Sequence, residues 1–293
     1  MAKSRDIKNR IKSVSNTKKI TRTMELVATA KAKGAVNRIE RAIPYFDALQ
    51  EIATEARGQG GVSNHPLLIE RPVKSVAVLA IVANRGLCGG YNSSVLRTAR
   101  DHRAALLADG AEVELIPSGG KAFSWLNYNN VEYNPDGYRQ FEDKPDYAET
   151  EKVAERLMGL FTSGQVDRVD LIYTHFFSAG RQEPVVRTLL PLASPSAAEG
   201  EDSDRNDEPD FDIEPDPSTI LNAIFPLQVK LDVYRAYLSA AASEQIARRI
   251  AMKNATDNAE DLVKSLRMTY NRLRQSQITT EILEIIGGAE ALN

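Results

Sequence analysis

LQVKLDVYRAYLSAAASEQIARRIAMKNATDNAEDLVKSLRMTYNRLRQSQITTEILEII, residues 227–286, holds no glycine and no proline, the flanking breakers being Pro226 and Gly287. Sixty residues without a breaker predict one helix, about 90 Å long at ~1.5 Å per residue and longer than a domain of this size is wide. Such a helix cannot hide inside an ordinary core; it needs a partner along its length. Its heptads describe that partner. One series reads Leu231, Leu238, Gln245, Met252, Ala259, Leu266, Leu273, and the alternating one Tyr234, Ala241, Arg248, Ala255, Leu262, Thr269. Both are too rich in small and polar residues for a self-associating zipper, so a dedicated partner packed closely at alanines is expected.

The other end of the chain offers one. No glycine or proline occurs between Met1 and Lys33, and Ile7, Ile11, Val14, Ile20, Met24 and Val27 recur at helical steps. This amphipathic helix is expected to continue past a kink at Pro44 to about Ala56, where the glycines at 58, 60 and 61 stop it. Its Ala28, Ala30, Ala32 and Ala35 match the small residues opposite.

Between the two helices, Ser75–Ala83 is a continuous apolar run of the kind a buried parallel strand requires. Strands are expected at Glu112–Ile116 and Asp170–Phe176, and helices near Ser93–Ala108, Gly119–Leu126 and Tyr147–Thr162, an alternation that predicts a Rossmann-like α/β domain. The division expected is thus a helix over 1–56, an α/β domain over 57–193, an acidic loop over 194–217 and a helix over 218–293, with Ser218 as its N-cap. The fold class is α/β plus a long antiparallel coiled coil.

Charge is polarised along the chain although the formal net charge is −3. Residues 1–41 carry twelve Lys and Arg against Asp6, Glu25 and Glu40, whereas residues 199–216 carry ten acids against Arg205. The loop is too polar to bury anything and reads as a solvated linker. A basic helix can neutralise phosphates, but residues 1–44 hold no aromatic side chain to stack on bases and no DNA-reading motif. A solvated face, or a face toward an acidic protein, fits better than a nucleic-acid site. No apolar run approaches the ~20 residues of a membrane span, so no direct lipid insertion is expected.

Chemical motifs are few. Asn84–Asn92 is a glycine-rich turn between a strand and a helix, a place where phosphates bind, yet its spacing is neither GxGxxG nor GxxxxGK[ST]. Glycines permitting a tight corner are the simpler reading. Cys88 is the only cysteine, without a histidine nearby in sequence, and His65, His102 and His175 lack paired-ligand spacing. No catalytic residue, metal site or cofactor is expected. A nucleotide-binding α/β enzyme with helical arms is the alternative reading, and a nucleic-acid-binding coiled coil a third.

The C-terminal string Ile278–Ala291 resembles the signature of the gamma subunit of F-type ATP synthases. So do Ser243-Glu244-Gln245 with Arg248 and Ala251–Asn258, the segment Arg85–Gly90, and Ile7 followed by Asn16-Thr17 and Lys19-Ile20-Thr21. The resemblance covers essentially the whole chain and is strongest at both ends. It implies a non-catalytic rotating shaft, one copy per complex, with the two terminal helices inside a ring of three alpha and three beta subunits. The α/β domain would meet the epsilon subunit and the membrane rotor ring of c subunits, on the cytoplasmic face of the bacterial inner membrane. By position in the matching motifs, Lys18, Lys19, Arg22 and Met24 on one helix, and Arg248, Gln275 and Thr279 on the other, are the expected contacts with the catalytic ring. Core packing for Met24 and plain solvation for the two lysines are the competing readings. Asn84 stands where many members have Asp, and the acidic loop is idiosyncratic. The single cysteine speaks against the thiol-controlled chloroplast type. A missing transit-like presequence favours a bacterial chain over an organelle precursor, although a processed mature form would lack one as well.

Overall fold

A computed structural model describes residues 2–58, 65–192 and 217–290; the acidic loop expected over 194–217 lies, but for Pro217, outside them. The chain divides into two units, residues 1–29 with 248–293 and residues 30–247. Helix α1 (Ala2–Gly58) and helix α5 (Pro217–Glu290) contribute to both.

In the first unit, the two ends of the chain run antiparallel. Lys18 pairs with Glu260 at 3.1 Å, and Thr21 Oγ1 lies 2.8 Å from Thr256 Oγ1. The Thr21 hydroxyl accepts from Thr256 and donates to the Lys18 carbonyl at 3.0 Å, which satisfies two polar groups in a buried seam. On α1 the seam runs through Ile7, Ile11, Val14, Lys18, Thr21, Glu25 and Ala28, with Ser15 and Met24 half-buried at its flank; on α5 it runs through Met252, Thr256, Ala259, Val263, Leu266, Tyr270, Leu273 and Gln277, flanked by half-buried Ala251, Ala255 and Glu260. Both series step by four and three residues, the spacing of a coiled-coil seam.

The seam corrects the sequence reading in three places. The second series on α5 runs through Thr256, Val263 and Tyr270; of the expected positions Ala255 is half-buried beside it, whereas Thr269 is exposed and Leu262 stands 46% exposed. Residues three and four apart are both neighbours on a helix, so apolarity alone could not choose between adjacent stripes. On α1 the apolar stripe leaves the seam after Val14: Ile20 and Val27 are outward, while Lys18 and Thr21 take the inner positions. Ala28, Ala32 and Ala35 are buried as expected of close helix approach, but Ala30 is exposed.

The second unit is built on a four-stranded sheet of order β2-β1-β3-β4, formed by β1 (Ser75–Ile81), β2 (Glu112–Ser118), β3 (Arg168–Ser178) and β4 (Arg181–Leu190). β1 is parallel to β2 and β3, and β4 returns antiparallel to β3. Helices α2 (Tyr91–Ala108) and α3 (Gly120–Tyr128) cover one face, against Val76, Val78, Ala80 and Ile172. Helix α4 (Tyr147–Thr162) and the first part of α5 cover the other, against Ala77, Leu79, Ile81 and Leu171. Period-two alternation places successive β1 side chains on opposite faces, and with both faces covered the strand must be apolar throughout.

On α5, Leu221, Phe225, Val229, Val233 and Ala236 or Tyr237 recur about once per turn, and that stripe buries itself on the sheet. α1 packs alongside: Ala35 and Ile39 meet Leu238 and Ala242. Strand β4 is absent from the sequence reading because it carries Arg181, Gln182, Glu183, Pro184 and Arg187. An edge strand tolerates both the charges and the proline. Ser218 lies within the first turn of α5, which starts at Pro217, a residue preorganised for a first helical position.

Candidate functional site

Ligands of doubly wound folds bind outside the carboxyl ends of the parallel strands, where the strand order reverses. Here that edge is formed by Val82 to Asn84 after β1, by Ser118 and Gly119 at the end of β2, and by Thr174 on β3. Helix α5 occupies it. The Tyr237 hydroxyl lies 2.9 Å from Ser118 Oγ, and its ring stacks on Phe141 with centroids 4.1 Å apart. Tyr91 donates to the Ala240 carbonyl at 3.0 Å, Ser243 donates to the Thr174 carbonyl at 3.3 Å, and Ala247 packs against Ala83, Cys88 and Tyr91. Burial pushes the Tyr237 phenol above its ordinary range, partly offset by the Ser118 hydrogen bond. These contacts seat α5 directly on the strand ends.

The glycine-rich turn is likewise committed to the fold. Asn92 Oδ1 accepts from the Ala83 N–H at 2.9 Å, while its amide nitrogen donates to the Arg85 carbonyl and to Cys88 Sγ. Cys88 is buried, and Leu87 and Gly89 adopt positive φ of 64° and 59°. Asn84 is a three-way tie: its Oδ1 accepts from the Gly120 N–H at 2.7 Å, and its nitrogen donates to the carbonyls of Arg139 and Phe141 at 3.1 and 2.7 Å. Gly119 must be glycine, since with φ 101° an added Cβ would stand 2.1 Å from the Val82 carbonyl oxygen. Asn84→Ala would strand three polar groups and is expected to cost about 1–3 kcal/mol. Urea unfolding of the chain measures it, and an unchanged midpoint would show that solvent replaces those bonds.

The seven expected contact residues all belong to the first unit. Lys18 is half-buried and held by Glu260. Lys19 is exposed and lines an open groove with Arg5, Lys8, Lys12, Tyr270 and Gln277; no residue lining it is acidic. Arg22 is exposed and bonds both Glu25 oxygens at 2.9 Å, one turn along. Met24 and Arg248 are half-buried. Gln275 and Thr279 are exposed on one face of α5, where the Thr279 hydroxyl donates to the Gln275 carbonyl at 3.0 Å. Thus Lys19 and Arg22 are exposed on α1 with Lys18 beside them at the seam, whereas Gln275 and Thr279 stand near the end of α5.

Sequence reasoning missed the apolar surface beside them. Residues 278–286 are exposed at every position, including Ile278, Ile282, Leu283, Ile285 and Ile286. Ile20, Leu26, Val27, Leu262 and Met268 add exposed apolar side chains along the same unit. Exposed apolar residues gathered in this way are characteristic of interaction surfaces. The run Ile282–Ile286 carried that signal, since it fits no single stripe.

Among the described residues, no three His, Cys, Asp or Glu side chains gather as a metal site, and no helix is long and apolar enough to cross a membrane. The family model described as ATP synthase matches residues 3–292. The chain is 43% identical to the ATP synthase gamma chain of Rhodopirellula baltica, covering 100% of this chain and 99% of that one. It is also 43% identical to the gamma chain of Leptospira biflexa over the whole of both. The chain belongs to the ATP synthase gamma chain family. Its fold is also that of solved assemblies: a chain of the Euglena gracilis mitochondrial ATP synthase in rotational state 3 superposes with TM-score 0.71 at 20% identity, covering 99% of this chain and 95% of that one. A chain of the Tetrahymena thermophila central stalk and c-ring gives 0.56 at 24% identity, covering 80% and 99%.

Proposed function

We propose that the chain is the central rotating shaft of an F-type ATP synthase, coupling ion flow through the membrane sector to ATP synthesis or hydrolysis at the beta subunits. It is non-catalytic itself. Three alpha and three beta subunits surround the paired ends of the chain, and the α/β domain meets the epsilon subunit and the c-ring, peripheral to the cytoplasmic face of a bacterial inner membrane. The observation carrying this reading is the first unit, a helix pair whose seam is closed by its own residues while aliphatic and basic side chains point outward along its length. Lys18, Lys19, Arg22, Met24, Arg248, Gln275 and Thr279 are the contacts this reading assigns to the catalytic ring.

A shaft works on its surroundings through differential contact. Three identical beta subunits adopt different nucleotide affinities only if the shaft touches each differently. Driving one of them from 1:99 to 99:1 requires roughly 5.5 kcal/mol of differential interaction. Basic side chains on α1 and exposed aliphatics on α5 spread that sum over many contacts.

The test is assembly of the chain, with and without residues 279–293, with alpha and beta subunits in a complete membrane-reconstituted complex. Nucleotide binding is expected to be unchanged, because those sites belong to other chains, while ion uptake per ATP hydrolysed falls by about half or more as contacts are lost. Loss of nucleotide binding by the truncated assembly, or full coupling without the tip, would contradict the proposal.

A further inference from the structure

The loop joining α3 to α4 ends in a side chain that grips both long helices. Asp143 forms an ion pair with Lys31 of α1, and its Oδ1 accepts from Gln245 Nε2 of α5 at 2.6 Å. Its backbone carbonyl accepts from Arg38 Nη2 of α1 at 2.9 Å. All four residues belong to the second unit. The loop is itself fastened to the strand ends. Asn84 holds the carbonyls of Arg139 and Phe141, the Gly119 N–H donates to the Tyr138 carbonyl at 2.8 Å, the Tyr138 N–H donates to Pro117 at 2.9 Å, and Phe141 stacks on Tyr237. A continuous series of hydrogen bonds and packed rings thus runs from the sheet edge to Asp143 and on to both helices.

Gln245 shows that this connection is made at the expense of packing. It occupies a heptad position, is 1% exposed, and its Oε1 has no hydrogen-bond partner among the described residues. An aliphatic side chain there would leave no orphan. A polar residue at a seam position fixes register and orientation at a cost in stability, and the group it selects is Asp143.

We infer that Asp143 is a positioning residue for torque transfer, the pin that fixes the rotational setting of α1 and α5 on the α/β domain through Lys31, Arg38 and Gln245. The inference rests on the shaft reading. Torque entering the domain crosses to the helices through whatever links the two, and a loop tied at both ends is stiffer than apolar contact, which lets helices slide.

The test uses the complete alpha–beta assembly carrying this chain, with a rod attached through a cysteine at the exposed Tyr128. Untethered wild-type rods rotate on ATP; if they do not, the shaft reading itself fails. With the helix tip then crosslinked to a beta subunit from a cysteine at Thr279, the thermal angular variance of the rod reports torsional compliance. Asp143→Ala and Gln245→Leu are each expected to raise that variance about twofold, since each removes a link in one physical network. Gln245→Leu is expected to leave the melting temperature unchanged or raise it, which a merely structural residue would not do. If Asp143→Ala fails to fold, Gln245→Leu decides alone. Wild-type variance in Gln245→Leu, in rods that rotate normally, overturns the pin.

Discussion

Tyr237→Ala is expected to destabilise the chain by about 3–5 kcal/mol, the range for emptying a buried aromatic site. The side chain is 2% exposed, lies between the sheet edge and α5, stacks on Phe141 and meets the Ser118 hydroxyl. Its neighbours are strand ends and a tied loop, which collapse poorly into a cavity. Tyr237→Phe separates the parts: it keeps the ring, leaves buried Ser118 without its partner and is expected to cost about 1–2 kcal/mol. Because burial raises the phenol above its ordinary value, it stays protonated, and both costs should be the same at pH 6 and pH 8. Chemical denaturation of the chain gives both numbers, and an alanine cost near 1 kcal/mol would mean that α5 is only loosely seated on the strand ends.

Asp170→Ala is expected to cost about 3 kcal/mol, the lower end for breaking a buried ion pair. Asp170 on β3 is 0% exposed and accepts four hydrogen bonds: His102 Nε2 at 2.8 Å, Arg168 Nε and Nη2 at 3.1 and 2.9 Å, and the Thr188 hydroxyl at 2.9 Å. The carboxylate ties α2 to β3 and β4 on the face of the sheet that α2 covers. Removal leaves a guanidinium and an imidazole without their acceptor, but both side chains retain some solvent contact, at 26% and 20% exposure. That exposure places the effect low in the range. Asp170→Asn keeps acceptor capacity at one oxygen and should cost less than alanine; equal costs would show that charge rather than hydrogen bonding holds the cluster.

Most of the architecture was legible because it rests on patterns the chain repeats. The breaker-free stretch ending at Ile286 predicts α5, the apolar run from Ser75 predicts β1 with both faces covered, and the alanines at 28, 32 and 35 predict close helix approach. The inner stripe of α1 was less legible, because Lys18 and Thr21 fill seam positions through an ion pair and a shared hydrogen bond that hydrophobicity does not see. Ile20 and Val27 misled for the complementary reason: they are apolar yet point away from the seam, at 60% and 49% exposure.

The centre of the molecule was legible only in part. The glycine-rich turn read correctly as a corner, but nothing local in sequence announces that Tyr91 there reaches Ala240, or that Asn84 ties a loop more than fifty residues away. Long-range hydrogen bonds carry no periodicity. Asp143 and Gln245 are invisible for the same reason, since 102 residues separate them.

The account stands on the first and last segments of the chain lying together as one body, and a cysteine pair at Thr21 and Thr256 tests this most directly. Their hydroxyl oxygens are 2.8 Å apart in the seam, and the chain's own Cys88 is buried elsewhere, in the second unit. Mild oxidation is predicted to join the two within a single chain in high yield, and the assembled complex carrying the bridge should still couple ATP hydrolysis to ion uptake, because both helices turn as one body. Absence of the bridge in folded protein, or a bridge that halts the complex, would contradict the account.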